Sequence, residues 1–317
     1  LGAELVADES GRYRIAKIFP SENWHDRYRS PLTEPGVEVN EGEFLLAIDG
    51  VELTTARNPY QLLEGKADTQ VVLTLNSTPS MSGAREQTIR TISSERSLRY
   101  LDWIRSRAAL VDELSDGQIG YIHLPNTSQD GNEALQKLFY SQVSKPGLII
   151  DDRYNGGGFI PDRMIEMLSR TTLSYWARRG VGSLQTPGFR HDGPKAMLIN
   201  GYAASGGDAL PYYFRKQGLG KLIGTTTWGG LIGISGNPML VDGGGVLFPR
   251  FRLYDTDGEW AVENIGVAPD IEVWDLSEAI AAGRDPSIEK AVEVLLEELQ
   301  EFSGDPPTPT PPDLGGD

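Results

Sequence analysis

Cysteine is absent from the 317 residues of this chain. Disulfides and thiolate chemistry are therefore excluded, and a cytosolic setting fits. Histidine is scarce: His25, His123 and His191 are all there is. Basic residues are in deficit, with 29 Lys and Arg against 45 Asp and Glu and a formal net charge of −16. That balance argues against nucleic acid or anionic membranes as partners, because both call for a basic surface. No apolar run approaches the roughly 18 residues of a membrane-spanning helix. The first residues lack a basic stretch followed by an apolar core, so no signal peptide is visible. Leu1 in place of Met reads as a cut inside a longer protein, with upstream sequence missing.

What is present predicts a packed protein of about two domains: 39% of residues are hydrophobic and 23% charged. In residues 1–77, Tyr13–Phe19 alternates as a strand. Gly42-Glu43-Phe44-Leu45-Leu46-Ala47-Ile48-Asp49-Gly50-Val51 is a strand entering an Asp-Gly turn. Asn58–Leu63 opens a short helix, and Val71–Leu75 closes the unit. This string resembles a PDZ domain, a small β-rich fold that binds an extended peptide beside an exposed strand. The resemblance makes Leu1–Leu5 the candidate carboxylate-binding loop, with a purely packing role as the equal alternative. Residues 78–96 are expected to be a Pro/Ser/Gly linker and an edge segment.

From residue 97 the pattern changes. A helix is predicted over Ser97–Ala109. Strands at Gly117–Leu124, Gly147–Asp151 and Lys195–Asn200 then alternate with helical stretches at Asn132–Ser141, Arg163–Leu168 and Ala209–Phe214. Such alternation predicts an α/β domain with a mostly parallel sheet over 97–302, closed by an amphipathic helix from Pro286 to Phe302. Residues 303–317 are Pro-, Gly- and Asp-rich and are expected to be disordered.

In an open α/β sheet, sites gather at the carboxyl ends of strands. Two such ends are unusual here. Asn200–Asp208 places one serine, Ser205, on a small-residue strand-to-helix turn, where its hydroxyl can project and glycines let a carbonyl approach. Asp151–Phe159 carries three consecutive glycines, Gly156 to Gly158, whose N–H groups suit an oxyanion. The Lys-Ser/Thr of a P-loop is missing, which disfavours phosphate.

Four strings occur in order: Gly120-Tyr121-Ile122-His123-Leu124-Pro125, Leu148-Ile149-Ile150-Asp151-Asp152-Arg153-Tyr154-Asn155-Gly156-Gly157-Gly158, Ala204-Ser205-Gly206-Gly207-Asp208 and Gly266-Val267-Ala268-Pro269-Asp270-Ile271-Glu272-Val273. Together they resemble the S41 family of serine peptidases, in its tricorn branch, over nearly all of residues 1–302. The resemblance implies a crotonase-like α/β core behind the PDZ domain and peptide-bond hydrolysis without metal or organic cofactor. It implies Ser205 as nucleophile, the backbone N–H groups of Gly158 and Gly206 as oxyanion hole, and Glu263 as the acid beside the catalytic histidine. It also implies oligopeptide substrates and a cytoplasmic homo-oligomer.

The chain departs from the family in three places. The lysine that serves as base in the tail-specific branch is replaced within Trp228-Gly229-Gly230-Leu231. None of the three histidines fits the tricorn base: His25 reads as solvated, His123 as packed in a strand and His191 as part of a polar turn. The resemblance therefore puts the base upstream of Leu1. The segment Leu173–Gly180 has no acid to select basic side chains, and its Tyr175 and Trp176 suggest an apolar pocket. Asp151 and Asp152 are expected to cap a strand end and hold the glycine loop. Asp208 is expected to cap a helix, and Asp270 to close a turn. Two other functions remain open: a non-catalytic peptide-binding scaffold, and a crotonase-like acyl-thioester enzyme.

Overall fold

A computed structural model describes residues 1–178 and 180–310. The chain divides into two compact units, Leu1–Ser106 and the residues from Arg107 onward.

The first unit is an antiparallel sheet. Its strands are β1 (Ala3–Ala7), β2 (Tyr13–Ile18), β3 (Phe44–Ile48), β4 (Val51–Glu52), β5 (Gln70–Asn76) and β6 (Arg85–Arg90). The order is β1-β2-β3-β5-β6, with β4 paired to β3. All five residues of β3 are buried, and Leu45, Ile48, Leu53, Val71, Leu73 and Leu75 form the core. The Asp49-Gly50 pair turns β3 into β4 with both residues at positive φ, as an Asp-Gly hairpin requires. The helix expected at Asn58–Leu63 is a 3-10 turn, Pro59–Leu63, capped by the Asn58 side chain.

Two expectations shift. Within 78–96 the expected edge segment is β6, paired to β5 along its length at the margin of the sheet, so what shifts is only that the sheet runs past residue 77. The proposed carboxylate loop is mostly β1, and a carboxylate of the chain itself, Glu95 Oε1, already accepts the Gly2 N–H at 2.9 Å.

The second unit is the α/β part. The long helix α1 (Arg96–Leu114) begins in the first unit and ends in the second, followed by β7 (Ile119–His123), α2 (Gln129–Gln142), β8 (Gly147–Asp151), α3 (Pro161–Leu168), a hairpin of β9 (Ser174–Arg178) and β10 (Val181–Thr186), then β11 (Lys195–Ile199), α4 (Gly206–Lys216) and β12 (Gly220–Gly224). A long irregular stretch precedes β13 (Ile271–Glu272), α5 (Ser277–Ala281) and α6 (Pro286–Glu301). The sheet order is β13-β12-β11-β8-β7, parallel throughout. β7, β8 and β11 are buried at every residue, which is why Leu148–Ile150 and Ala196–Ile199 read as continuous apolar runs rather than alternating ones. Leu148, Ile150, Met197 and Ile199 pack with Leu135 and Phe139 of α2, Met164 of α3, and Leu210 and Phe214 of α4. The helix α6 packs against β8, β11 and β12, starts at an Asp285 cap and buries Ile288, Ala291, Val292 and Leu295. Each such large apolar side chain contributes about 1.5–3 kcal/mol.

Residues 303–310 are exposed and without helix or strand; the rest of the tail expectation, 311–317, lies outside the described residues. Among the described residues no helix is long and apolar enough to cross a membrane.

Candidate active site

The parallel register brings four loops to one edge: those after β7, β8, β11 and β12. The loop after β8 is fixed by a buried ion cluster. Arg153 is 3% exposed and bonds Asp151 (2.7 Å), Asp285 (2.9 Å) and Asp275 (2.9 Å). The Tyr121 hydroxyl donates to Asp151 Oδ2 at 2.7 Å. Burial pushes Asp151 up, but the Arg153 guanidinium outweighs it and holds the carboxyl below its usual range. This cluster ties the start of the glycine loop to the cap of α6.

Asp152 behaves differently. It is fully buried, burial pushes its carboxyl well up, and the Asn155 amide donates to its Oδ1 at 2.8 Å. Asn155 then does three things. Its Oδ1 accepts the Gly157 N–H (2.9 Å), its carbonyl accepts the Ala204 N–H (3.0 Å), and its side chain touches Asp152. The glycine loop and the serine turn are thus joined through one asparagine.

Ser205 sits at the N-cap position of α4 with φ 57° and ψ −115°, a left-handed backbone that serine rarely adopts. Gly157 and Gly158 press against it. A Cβ on Gly157 would lie 2.8 Å from Ser205 Cβ and 3.1 Å from Gly206 N. A Cβ on Gly206 would lie 2.5 Å from Gly158 O and 2.9 Å from Gly158 N. Only glycine allows this approach, and it brings Ser205, Gly206 and Gly158 together.

Glu263 arrives by another route. Its flanking residues, Val262 and Asn264, have φ of 70° and 64°. A β-branched residue at positive φ is a true outlier, held only because its surroundings impose it. Glu263 Oε2 accepts the N–H groups of Leu231 (2.7 Å) and Ile232 (2.6 Å). Residues 227–232 form a strap between the two sides. On one side Trp228 N–H donates to Ala203 O (3.0 Å) and Gly229 N–H to Asp208 Oδ1 (2.7 Å); on the other, Asn264 N–H donates to Gly229 O (2.7 Å). No hydrogen bond joins Glu263 to Ser205 among the described residues; the strap connects them.

Asp208 is therefore not the helix cap the sequence suggested. Ser205 holds the cap position, and Asp208, one turn in, is buried with its carboxyl turned to the strap. Burial raises its pKa, against the Thr227 hydroxyl and the Gly229, Ser205 and Gly230 N–H groups that face it. Asp270 accepts the Leu222 N–H (2.7 Å) and pairs with Arg215 (3.0 Å), closing the entry to β13.

The histidines lie elsewhere. His25 caps a 3-10 turn of the first unit, accepting the Arg27 N–H. His123 is buried at the end of β7 in register with Asp151, and burial lowers its pKa to about 4. His191 is not in an open turn: it is 3% exposed, Nε2 lies 2.9 Å from the Lys145 carbonyl, and burial lowers it to about 4. It precedes β11, at the amino end of the sheet. The apolar pocket expected at Tyr175 and Trp176 is instead an exposed hairpin, with Trp176 65% exposed; Arg179 lies outside the described residues. Among the described residues no group of three or more His, Asp or Glu is placed to hold a metal ion.

A serine at positive φ on a strand-to-helix turn, pressed against a glycine loop, is an arrangement found among serine nucleophiles. Comparison with known proteins narrows this class. Residues 1–94 match the tricorn protease PDZ domain and residues 118–273 match peptidase family S41. The chain is 35% identical over 99% of its length to tricorn protease homolog 1 of Streptomyces coelicolor, and 35% identical over 94% to the tricorn protease of Thermoplasma acidophilum. It covers 29% and 28% of those relatives. A crystal structure of tricorn protease superposes with a TM-score of 0.85 at 34% identity, over 94% of this chain and 29% of that one. The chain belongs to peptidase family S41, in its tricorn branch.

Proposed function

We propose that this chain carries the nucleophile, oxyanion donors and acid partner of a peptidase that cleaves oligopeptides through an acyl-enzyme on Ser205. The carrying observation is the left-handed backbone of Ser205 pressed against Gly157 and Gly158. The Ser205 hydroxyl oxygen attacks the scissile carbonyl carbon while its proton passes to a base. The carbonyl oxygen becomes an oxyanion held by the N–H groups of Gly158 and Gly206. The amine leaves with the proton, and water then cleaves the ester and restores Ser205. The base is a histidine from outside these 317 residues, oriented by the Glu263 carboxylate. His123 and His191, buried and held neutral, support that assignment by being unsuited to the task.

The first unit presents its sheet to an extended peptide. The assembly is a homo-oligomer, supported by the apolar surface of the stretch before β13, where Met239 (73%), Leu247 (72%) and Trp260 (58%) are exposed. The deciding experiment treats the full-length protein with a serine-directed fluorophosphonate and maps the adduct. Labelling at Ser205, abolished in Ser205→Ala, is expected together with loss of peptide hydrolysis. Peptide binding without any Ser205 adduct would instead establish a non-catalytic scaffold.

A further inference from the structure

Phe159 and Phe251 are both open to solvent, at 69% and 52% exposure, and their rings meet at 6.3 Å with a tilt of 50°. Aromatic surface left open beside a reactive centre marks a place where a ligand is received. Each ring is attached to a different half of the candidate site. Phe159 directly follows Gly158 in the glycine loop. The backbone on either side of it is pinned: Thr127 N–H donates to Gly157 O at 3.0 Å, and Ile160 N–H donates to Thr127 O at 2.9 Å. Phe251 lies in the irregular stretch before β13. Gly233 N–H donates to Phe251 O, and Arg250 N–H donates to Gly233 O, both at 2.8 Å. Gly233 follows Leu231 and Ile232, whose N–H groups Glu263 accepts.

Gly233 shows that the place of the second ring is built in. Its φ lies outside the left-handed region, so its own backbone makes no demand for glycine. A Cβ there would run into the Phe251 ring. The ring lies where that side chain would stand, and the absence of a side chain is what admits it.

A peptide attacked by Ser205 and held by Gly158 has its reacting carbonyl beside the start of this surface. The Cα of the residue that supplies the carbonyl is one bond from the reacting carbon. The Cα atoms of Gly158 and Phe159 are themselves about 3.8 Å apart. A bulky side chain on the substrate Cα therefore reaches the ring pair. We propose that Phe159 and Phe251 are the specificity-determining residues of the peptidase, receiving a bulky apolar side chain on the residue that supplies the scissile carbonyl. The inference rests on Ser205 as nucleophile and Gly158 as oxyanion donor. An aromatic or branched aliphatic side chain covers both rings and removes apolar surface from water on each partner, whereas a methyl group leaves the rings wet.

The test measures kcat/KM of the full-length enzyme for two peptides that differ only at that residue, Phe in one and Ala in the other. Wild type is expected to favour the Phe peptide about 10- to 100-fold. The ratio is expected to fall about tenfold in Phe159→Ala and in Phe251→Ala, and to stay within about threefold of wild type in Phe159→Leu, which keeps apolar bulk. Each variant serves as its own reference, since an unfolded fraction lowers both rates and leaves their ratio alone. A wild type that treats the two peptides alike would overturn the inference, as would equal losses for both peptides in the alanine variants. A preference confined to the residue after the scissile bond would overturn it too. So would an unchanged ratio with a smaller assembly by sedimentation in the alanine variants, which would assign the rings to a contact between copies. No Ser205 adduct in wild type would bring down the nucleophile reading itself, whereas a Ser205 adduct with no discrimination overturns this inference alone.

Discussion

The two halves of the site are built on opposite plans. The serine half, made of Ser205, Gly206, Gly157 and Gly158, grows from buried strand ends and is held by close backbone approach and the Asn155 side chain. The glutamate half hangs on an irregular stretch with many exposed apolar side chains. There, two residues at positive φ and the strap 227–232 do the holding. Precision in the first half comes from the absence of side chains. In the second it comes from a carboxylate that gathers two N–H groups. The first kind of order fails abruptly when an atom is added, while the second loosens by degrees when an atom is removed.

That contrast is open to a direct mutational challenge. Gly158 has φ 146°, and an added Cβ would sit 2.2 Å from Ser128 Oγ and 2.4 Å from the Thr127 carbonyl. Gly158→Ala is expected to lose about 4 kcal/mol or more by urea unfolding, or to fail to fold. Gly243, in the irregular stretch, has φ 81° and open space around it. Gly243→Ala is expected to cost only the left-handed strain, about 1–2 kcal/mol. Equal losses at the two glycines would erase the distinction between the halves.

Glu263→Ala tests the second half. It strips Leu231 and Ile232 of their acceptor, with an expected cost of about 1–3 kcal/mol. Amide exchange should quicken at residues 229–232 while the strands β8 and β11 keep their protection. Quickening across the whole unit would show that the strap is not a local device.

The smallest effect sharpens the first half. Burial holds the Asp152 carboxyl well above the usual carboxylate range. A group raised in the folded state contributes stability that is full below its unfolded pKa and is lost as pH rises through the folded one. Asp152→Asn keeps an acceptor for the Asn155 amide but has no proton to lose. It is expected to unfold later than wild type near neutral pH and to show no advantage at about pH 3, below the unfolded carboxylate's pKa. An advantage that persisted in acid would mean that charge is not what burdens this position.

Much of the serine half can be read in the sequence, because its order is local. Apolar runs ending in glycines mark strand ends, and the residues that touch are the motif itself. The fold is similarly legible in β8 and β11. Misreadings arise where partners are distant. Thr78–Gly83 has the composition of a linker and of a hairpin turn alike, and only the pairing of β6 with β5 separates the two. Asp208 stands where a cap belongs, yet its acceptor faces Gly229, 21 residues on. His191 reads as part of a polar turn, yet it is buried with Nε2 against the Lys145 carbonyl.

The backbone of Ser205 carries a last consequence. At φ 57° and ψ −115° a glycine would rest more easily than a serine, since a Cβ there is a steric burden. Durability and reactivity therefore compete at a single position. A sequence optimised for folding alone would drift through Ser205→Gly and gain robustness as it lost its hydroxyl. The fold is in this sense kept below its own optimum by the residue that gives it a use.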